Sequence, residues 1–286
     1  MKLASYRDRE RDAARVGIVE GDKLLPLVPH SCMIAVIECF EEIRRELRTE
    51  PAVPLSEIQL LAPIPNPRRN IICVGKNYRD HAKEFSRSGF EAGAVAGAEI
   101  DEFPAVFTKL PTSVTGPGAT VDLHPTITQA VDYEIELGVI IGKRGRNIPR
   151  ERAFEHIFGY TIINDVTARD RQRNHKQWFL GKTLDTFCPM GPWITTADEV
   201  DAGNLELRCW VNGELRQSAN TRDLIFDIPT LIATISAGTT LLPGDVIATG
   251  TPAGVGIGFD PPNFLKPGDT VRMSISGLGE LINTFR

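Results

Sequence analysis

Three acidic residues lie in or directly after apolar, β-branched stretches, and they constrain the fold of this chain more than any other feature. Glu134 and Glu136 belong to the segment VDYEIELGVI, and Asp165 follows the segment YTIIN. Residues i and i+2 of a β-strand point to the same side, so Glu134 and Glu136 should project together while their neighbours face away. Like charges buried side by side are costly. The fold must therefore bring a compensating group to this point or leave it exposed.

A hard divalent cation would compensate such a cluster. Oxygen ligands alone favour Mg²⁺, Mn²⁺ or Ca²⁺ over Zn²⁺. The alternative is a solvent-facing strand edge that carries two charges, which is the usual explanation of an isolated Glu-x-Glu. The motifs elsewhere in the chain favour the metal site.

The composition is that of an ordinary globular protein. The chain has 286 residues, of which 42% are hydrophobic and 24% are charged. A formal charge of -5 argues against nucleic acid or an anionic membrane as partner. No apolar stretch approaches the roughly 20 residues that span a bilayer, and the first residues lack the apolar core of a signal peptide. Five cysteines without a Cys-x-x-Cys pair suit reduced thiols, so we expect a cytoplasmic protein.

The pattern of apolar residues divides the chain into a small N-terminal part and a larger body. Residues 13–28 form two apolar runs around Glu-Gly-Asp and predict a hairpin. Residues 33–48 carry apolar side chains at helical spacing. The proline-rich segment LAPIPNPRRN that follows predicts an extended linker. We therefore expect a small N-terminal domain over residues 1–68 and a catalytic domain over residues 69–286.

Strand patterns dominate the larger body. Asn212-Gly213 between two alternating runs predicts a two-residue hairpin turn. One helix should start around Pro149, and another should have Asp227 as its N-cap and end at Gly238. Many strands with scattered short helices predict a strand-rich α+β fold with a mixed sheet rather than a doubly wound fold.

The segment ICVGKNYRDHAKEF contains a candidate general base. A strand should end at Gly75, and a helix should begin with Asn77 as N-cap and Asp80 three residues later. His81 and Glu84 then share one helical face. The carboxylate would fix the imidazole tautomer and raise its basicity, so that the pair could take a proton from water. A surface histidine with a helical charge pair is the alternative.

Further polar residues follow along the chain. Residues 87–104 predict a mobile stretch, either a lid over an active site or a plain surface loop. Lys182 would suit an anionic oxygen of a substrate, and His175 is a second candidate base. The loop ATGTPAGVGIGF lacks the helix that a dinucleotide-binding fingerprint requires. We expect this loop to present the Thr251 hydroxyl and backbone N–H groups to a carboxylate.

Over residues 70–284 the chain resembles the fumarylacetoacetate hydrolase superfamily, through motifs that occur in the family's order: CVGKNYRDHAKE, DYEIELGVIIG, GYTIINDVTARDRQ, WFLGKTLDTFCPMGPW and LLPGDVIATGTPAGVG. The resemblance implies a mixed β-sandwich or roll with a small N-terminal domain, assembled as a homodimer. It implies that Glu134, Glu136 and Asp165 bind Mg²⁺ or Mn²⁺, and that His81 with Glu84 forms a water-activating dyad on a closing lid. The family positions that contact substrate correspond to Tyr78, Arg169, Gln172, Lys182 and Thr251.

The resemblance also implies enolate chemistry on a small-molecule 2-oxo acid. We expect a hydrolase that cleaves a C–C bond in acylpyruvate-type 2,4-dioxo acids, with His81 activating water and Lys182 holding the pyruvate enolate. The alternative is a decarboxylase or isomerase of related 2-oxo acids, of the oxaloacetate or 2-hydroxyhepta-2,4-dienedioate type. A non-catalytic metal-binding scaffold is a third hypothesis, although it would not need His81, Glu84 and Lys182. The founding enzyme has a further Asp ligand before its tyrosine, where this chain has Lys76-Asn77, so the founder's substrate does not carry over.

Overall fold

The computed structural model describes residues 1–8, 13–30, 32–89 and 101–286. Most of the segment expected to form a lid, residues 90–100, lies outside these described residues. In chain order the strands are β1 (Lys2–Asp8), β2 (Arg15–Glu20), β3 (Lys23–Pro26), β4 (Val53–Pro54), β5 (Ile58–Leu60), β6 (Ile71–Gly75), β7 (Ala105–Lys109), β8 (Val114–Thr115), β9 (Thr120–Val121), β10 (Val131–Asp132), β11 (Ile135–Ile141), β12 (Ile157–Asn164), β13 (Thr167–Ala168), β14 (Cys188–Thr196), β15 (Glu206–Val211), β16 (Glu214–Asn220), β17 (Val246–Ala248), β18 (Thr270–Ile275) and β19 (Gly279–Phe285).

Helices are short and scattered among the strands. The α-helices are α1 (Met33–Glu38), α2 (Phe40–Arg45), α3 (Arg79–Arg87), α4 (Arg169–Asn174), α5 (Phe179–Lys182) and α6 (Ile228–Ser236). Single 3₁₀ segments span Leu55–Glu57, Pro111–Ser113, Arg150–His156, Ala197–Glu199, Thr221–Asp223 and Gly256–Gly258. The predicted strand-rich α+β class is confirmed. No helix within the described residues is long and apolar enough to cross a membrane.

The strands of the described residues form one large mixed sheet and two smaller sheets. The large sheet has the order β4-β3-β2-β1-β14-β12-β11-β17-β6-β7, with β5 on β1 and β8 on β14. The five-stranded sheet has the order β16-β15-β18-β19-β9, and β10 pairs with β13. The N-terminal strands extend the sheet of the body, since Lys2 of β1 lies opposite Thr195 of β14. The division into domains at residue 68 stays a prediction.

Two apolar cores cover the centre of the large sheet. One core packs β11 and β12 against the five-stranded sheet, and Ile162 contributes to it together with Leu281 of β19. The other core lies on the opposite face, where Ile163 packs in the same cluster as Met33 of α1. Consecutive residues of β12 therefore point into different cores, which is why this strand is buried throughout.

Several local predictions are confirmed. The segment of residues 13–28 forms the β2–β3 hairpin. Asn212 and Gly213 both have positive φ values, 52° and 84°, as a two-residue hairpin turn requires. Asp227 caps α6, because its carboxylate accepts a hydrogen bond from the Thr230 N–H. Gly238, with φ of 77°, follows the end of that helix.

Two helix predictions were wrong in detail. The pattern of residues 33–48 predicted one helix, but the helix breaks at Cys39. The Cys39 carbonyl accepts the N–H of Ile43 and starts α2, and the Phe40 ring meets that of Phe158 at 4.9 Å. The helix expected from Pro149 is a 3₁₀ segment. The carbonyl of its last residue, His156, accepts a hydrogen bond from the Gly142 N–H, which links the segment to the end of β11.

The two-core arrangement makes Ile162→Ala strongly destabilising. Ile162 is 0% exposed, so the substitution should lower the free energy of unfolding by about 2–5 kcal/mol. Ile282→Ala on β19 is the matched control, because that side chain is 40% exposed and should change stability by about 0.5 kcal/mol at most. Urea denaturation followed by circular dichroism measures both values. Equal losses would contradict this placement of the core.

Candidate active site

The pairing of β11 with β12 brings the three predicted carboxylates together. Ile135 lies opposite Asn164 in this antiparallel pair, so the residues next to them, Glu134 and Asp165, become neighbours. The Asp165 N–H donates to the Glu134 carbonyl at 2.9 Å. One oxygen from each of Glu134, Glu136 and Asp165 lies within 4.8 Å of the others, and all three side chains are buried. The exposed strand edge considered above is therefore excluded.

Three buried cations contact this cluster. Arg169 Nη2 lies 2.6 Å from Glu134 Oε1. Lys182 Nζ donates to Glu134 Oε2 and to Asp165 Oδ2, both at 2.7 Å. Lys109 Nζ donates to Asp165 Oδ1 at 2.5 Å. Burial opposes ionisation of Glu134, yet Lys182 and Arg169 hold its pKa well below the usual range.

Glu136 differs from the other two carboxylates. Among the described residues it forms no salt bridge, and its Oε2 accepts a hydrogen bond from the Gly250 N–H at 2.8 Å. Burial, together with the charges of Asp165 and Glu134, raises the pKa of Glu136 well above its usual value. Within the part of the chain that the structure describes, one carboxylate of the cluster thus lacks a cationic partner. The all-oxygen donor set fits Mg²⁺ or Mn²⁺, which would supply that partner.

The start of α3 is held by a long-range contact rather than by a capping box. The predicted N-cap, Asn77, was wrong: the helix begins at Arg79, and Tyr78 at the cap position makes no side-chain cap bond. The Asn77 amide instead donates to the carbonyls of Phe226 and Thr249 and accepts the Phe226 N–H. This amide therefore fixes the N-terminal end of α3 to the rest of the fold.

The predicted histidine–glutamate pair is formed on α3. His81 Nδ1 lies 3.1 Å from Glu84 Oε2, and His81 is buried. Glu84 Oε1 also accepts the Gly254 N–H at 3.0 Å. A Cβ at Gly258 would lie 1.8 Å from Glu84 Oε1, so glycine at this position leaves room for the carboxylate. The contact through Nδ1 leaves the second ring nitrogen, Nε2, for a reacting group.

Most of the predicted site residues meet in one small cavity. It offers about 10 Å³ to the centre of a water molecule, which is room for roughly one water. The lining residues are Val74, Gly75, Lys76, His81, Phe85, Phe107, Glu134, Glu136, Arg169, Gln172, Trp178, Lys182 and Thr251. Tyr78 does not line the cavity. Its hydroxyl is buried without a hydrogen-bond partner among the described residues, and burial raises its pKa.

An aromatic roof, formed by Phe85, Phe107 and Trp178, closes the apolar side of the cavity. The Trp178 ring meets the Phe85 ring at 5.8 Å and the Phe107 ring at 5.3 Å, edge to face in both cases. A Cβ at Gly75 would lie 2.1 Å from Trp178 Cζ3, so the indole packs directly on the backbone of β6. Trp178 precedes α5 and Lys182 ends it, so one short helix positions both the roof and an ammonium group.

The glycine-rich loop after β17 binds the protein's own carboxylates. Its backbone N–H donors and their acceptors are Gly250 with Glu136, Gly254 with Glu84, Gly256 with Asp132 and Ile257 with Asp132. The Thr251 hydroxyl accepts a hydrogen bond from the Gln217 amide at 2.8 Å. The loop therefore presents its N–H groups to carboxylates of the chain itself, and presentation of the Thr251 hydroxyl to a carboxylate stays a prediction.

The pattern of the sequence did not single out Asp132, Lys109 or the aromatic roof. Asp132 is buried; its Oδ2 accepts from Arg169 Nε at 2.9 Å, and burial raises its pKa. The partners of Lys109 and Asp132 lie 56 and 37 residues away along the chain. The sequence did contain a signal for both residues, because each is a charged residue in an apolar strand. A charged side chain in such a strand is rarely buried without a partner, so its presence indicates an ion pair.

The second candidate base, His175, and the buried Cys188 lie outside the cavity. His175 is exposed at the end of α4. Cys188 is buried in β14, and burial raises the pKa of its thiol to about 12. A buried thiol that stays protonated is a poor nucleophile. The five cysteines are all free, as expected for reduced thiols.

Comparisons with known proteins agree with this geometry. Residues 70–286 match the family model described as fumarylacetoacetate (FAA) hydrolase, C-terminal. The chain is 50% identical to oxaloacetate tautomerase YisK of Bacillus subtilis, over 93% of this chain and 84% of that protein. Its fold superposes on fumarylacetoacetate hydrolase from Exiguobacterium antarcticum with a TM-score of 0.85 and 42% identity, covering 100% of this chain and 99% of the other.

A third similar structure contains a metal ion. Maleylpyruvate hydrolase from Sphingobium sp. SYK-6, solved with manganese(II) and pyruvate, superposes with a TM-score of 0.79 and 35% identity. The superposition covers 100% of this chain and 98% of that structure. The chain belongs to the fumarylacetoacetate hydrolase family.

Proposed function

We propose that the protein is an oxaloacetate keto–enol tautomerase, which moves a proton between C3 and the C2 oxygen of a four-carbon 2-oxo diacid. The observation that carries this proposal is the meeting of His81, Lys182 and the carboxylate cluster in one small cavity beneath an aromatic roof. The identity of 50% with a Bacillus subtilis oxaloacetate tautomerase supports the choice of substrate. The isomerase alternative of the sequence analysis thus replaces acylpyruvate hydrolysis as the first hypothesis.

Glu134, Glu136 and Asp165 would hold Mg²⁺ or Mn²⁺ in this enzyme. The missing partner of Glu136 and the all-oxygen donor set support that assignment. The bound cation supplies Lewis-acid polarisation of the 2-oxo acid. A relative solved with manganese(II) and pyruvate is consistent with such a site.

Proton transfer is the task of the His81–Glu84 pair. In the keto-to-enol direction, His81 Nε2 takes a proton from C3, and the resulting imidazolium is balanced by Glu84 at Nδ1. The electron pair of the broken C–H bond forms the C2=C3 double bond, and the C2 oxygen becomes anionic. Lys182 stabilises that oxygen until the oxygen accepts the proton from the His81 imidazolium, which completes the enol. The reverse sequence regenerates the keto acid.

The roof excludes bulk water from this transfer. Substrate needs more room than the cavity offers, so the aromatic side chains or α3 must move to admit it and then close again. Exclusion of water favours return of the proton to the substrate over hydrolysis. Arg169 and Gln172, which are hydrogen-bonded to each other on α4, would orient the substrate carboxylate together with Thr251.

Cleavage of an acylpyruvate by water is the second candidate function. The similarity to maleylpyruvate hydrolase favours it, and the cavity beside His81 has room for roughly one water. His81 would then take its proton from that water rather than from C3. A homodimeric assembly and a cytoplasmic location stay predictions.

Replacement of His81 tests the proposed base. His81→Ala should lower kcat for tautomerisation by about 10²–10⁴-fold, the usual contribution of a general base. The decay of the enol absorbance of oxaloacetate in the ultraviolet measures the rate. His175→Ala is the matched control and should leave the rate unchanged, since His175 is exposed outside the cavity. A fully active His81→Ala variant would refute the assignment.

A substrate panel separates the two candidate functions. With Mg²⁺, the enzyme should interconvert enol and keto oxaloacetate without releasing pyruvate from acylpyruvates, and excess EDTA should abolish that activity. Ultraviolet absorbance follows the tautomers, and a coupled lactate dehydrogenase assay detects pyruvate. Chelator-sensitive pyruvate release from an acylpyruvate, with slow tautomerisation, would make the hydrolase the better hypothesis.

Glu136→Gln tests the cation site through stability. Because burial raises the pKa of Glu136 in the folded protein, ionisation penalises folding increasingly as the pH rises above the unfolded value, near 4.5. In EDTA at about pH 7, the variant should therefore be more stable than the wild type by about 1–3 kcal/mol. The difference should vanish at about pH 4, where the unfolded chain is also largely protonated.

Addition of Mn²⁺ should remove or reverse this difference in stability between the variant and the wild type. At 100 times its Kd, Mn²⁺ should stabilise the wild type by about 2.7 kcal/mol and the variant much less. Thermal unfolding measures both effects, with Glu206→Gln on the exposed face of β15 as control. Equal stabilisation of Glu136→Gln and wild type by Mn²⁺ would remove Glu136 from the site.

A further inference from the structure

Cations already occupy both oxygens of two of the three carboxylates in the cluster. Glu134 contacts Arg169 through Oε1 and Lys182 through Oε2. Asp165 contacts Lys109 through Oδ1 and Lys182 through Oδ2. A divalent cation that binds both carboxylates at their facing oxygens therefore competes with an ammonium or guanidinium group that is already there.

Two of these three cations are anchored elsewhere as well. Arg169 donates from Nε to Asp132 at 2.9 Å and from Nη1 to Gln172 at 3.2 Å. Lys109 Nζ also donates to the Val166 carbonyl at 2.9 Å, and its side chain is fully buried at the end of β7. Neither group can leave its carboxylate without breaking a second buried contact.

Lys182 is held differently. Within the described part of the chain, both hydrogen bonds of its Nζ go to Glu134 and Asp165. Its other contact is the Phe107 ring, whose centroid lies 5.0 Å from Nζ, and Lys182 lines the cavity. An ammonium group that bridges two carboxylates occupies the position where a cation shared by them would bind. It can move into the cavity without breaking a bond to any other group.

We propose that the two lysines on Asp165 have different roles: Lys109 is a permanent positioning residue for the Asp165 carboxylate, whereas Lys182 holds the place of the divalent cation and is displaced into the cavity when that cation binds. The inference rests on the cation site of the proposed function and not on the identity of the substrate. The displacement implies that cation binding precedes the contact of Lys182 with substrate. Lys182 becomes available to an anionic substrate oxygen only after the cation has taken over Glu134 and Asp165.

Thermal unfolding of matched variants tests this division of roles. Methionine approximates the length of lysine without its charge, so we compare Lys182→Met and Lys109→Met with wild type, in EDTA and in saturating Mn²⁺. In EDTA, both variants should unfold at least about 6 °C lower, because each leaves buried carboxylate charge without its partner. In Mn²⁺, Lys182→Met should return to within about 2 °C of the wild type, while Lys109→Met should keep its deficit.

The alternative outcomes are distinct. A Lys182→Met deficit that persists in Mn²⁺ would show that the ammonium stays on its carboxylates, and it would overturn the displacement. A Lys109→Met deficit that disappears in Mn²⁺ would overturn the permanent role of Lys109. Wild-type protein that Mn²⁺ fails to stabilise would overturn the cation site and this inference together, whereas failure of the oxaloacetate assay alone leaves the inference intact.

A crystal structure of the wild type with Mn²⁺ provides a second test that does not depend on variant folding. The displacement predicts that Lys182 Nζ moves beyond hydrogen-bond distance of Glu134 Oε2 and Asp165 Oδ2, while Lys109 Nζ stays on Asp165 Oδ1. Retention of both Lys182 contacts, 2.7 Å each in the present structure, would refute it.

Discussion

The burial of several carboxylates at one point is the constraint on which the rest of this structure depends. An ionised carboxylate inside a protein needs a cation or several hydrogen-bond donors. The fold supplies both: α4, α5 and β7 each bring one basic side chain to the cluster, and the loop after β17 brings backbone N–H groups. Glu136 alone receives only an N–H donor among the described residues. Among the described residues, the charges of the cluster are thus paired except at Glu136.

The residues that could be predicted from the sequence are those whose partners are close along the chain or whose chemistry conflicts with an apolar setting. Glu134, Glu136 and Asp165 interrupt strand patterns, and His81 with Glu84 follows from helical spacing alone. Partners brought by tertiary structure gave no such pattern: Lys109 lies 56 residues from Asp165 and Asp132 lies 37 residues from Arg169. The N-cap prediction at Asn77 was wrong for the same reason. A local capping pattern matched, but distant backbone groups bind that amide.

The same side chains suit more than one reaction. The fold and the family therefore do not distinguish a tautomerase from a hydrolase, and the distinction depends on the site. Both reactions require a base and a stabilised enolate, and they differ in whether His81 meets a C–H group or a water molecule. In the proposed mechanism, the roof of Phe85, Phe107 and Trp178 bears on this choice because it controls the access of water to His81. A shared fold thus does not fix the reaction, which depends on the residues of the site.

The strand order of the large sheet has a consequence for folding during synthesis on the ribosome. The first strand pairs with β14, where Lys2 meets Thr195, and β6 pairs with β17, where Ile72 meets Ile247. Strands β1 and β6 therefore form these pairings only after strands much later in the chain have been synthesised. Such non-local pairing slows folding. In that interval the apolar β6 presents an unpaired edge to other nascent chains. The large sheet is therefore complete only after β17 has been synthesised, however stable the finished sheet is.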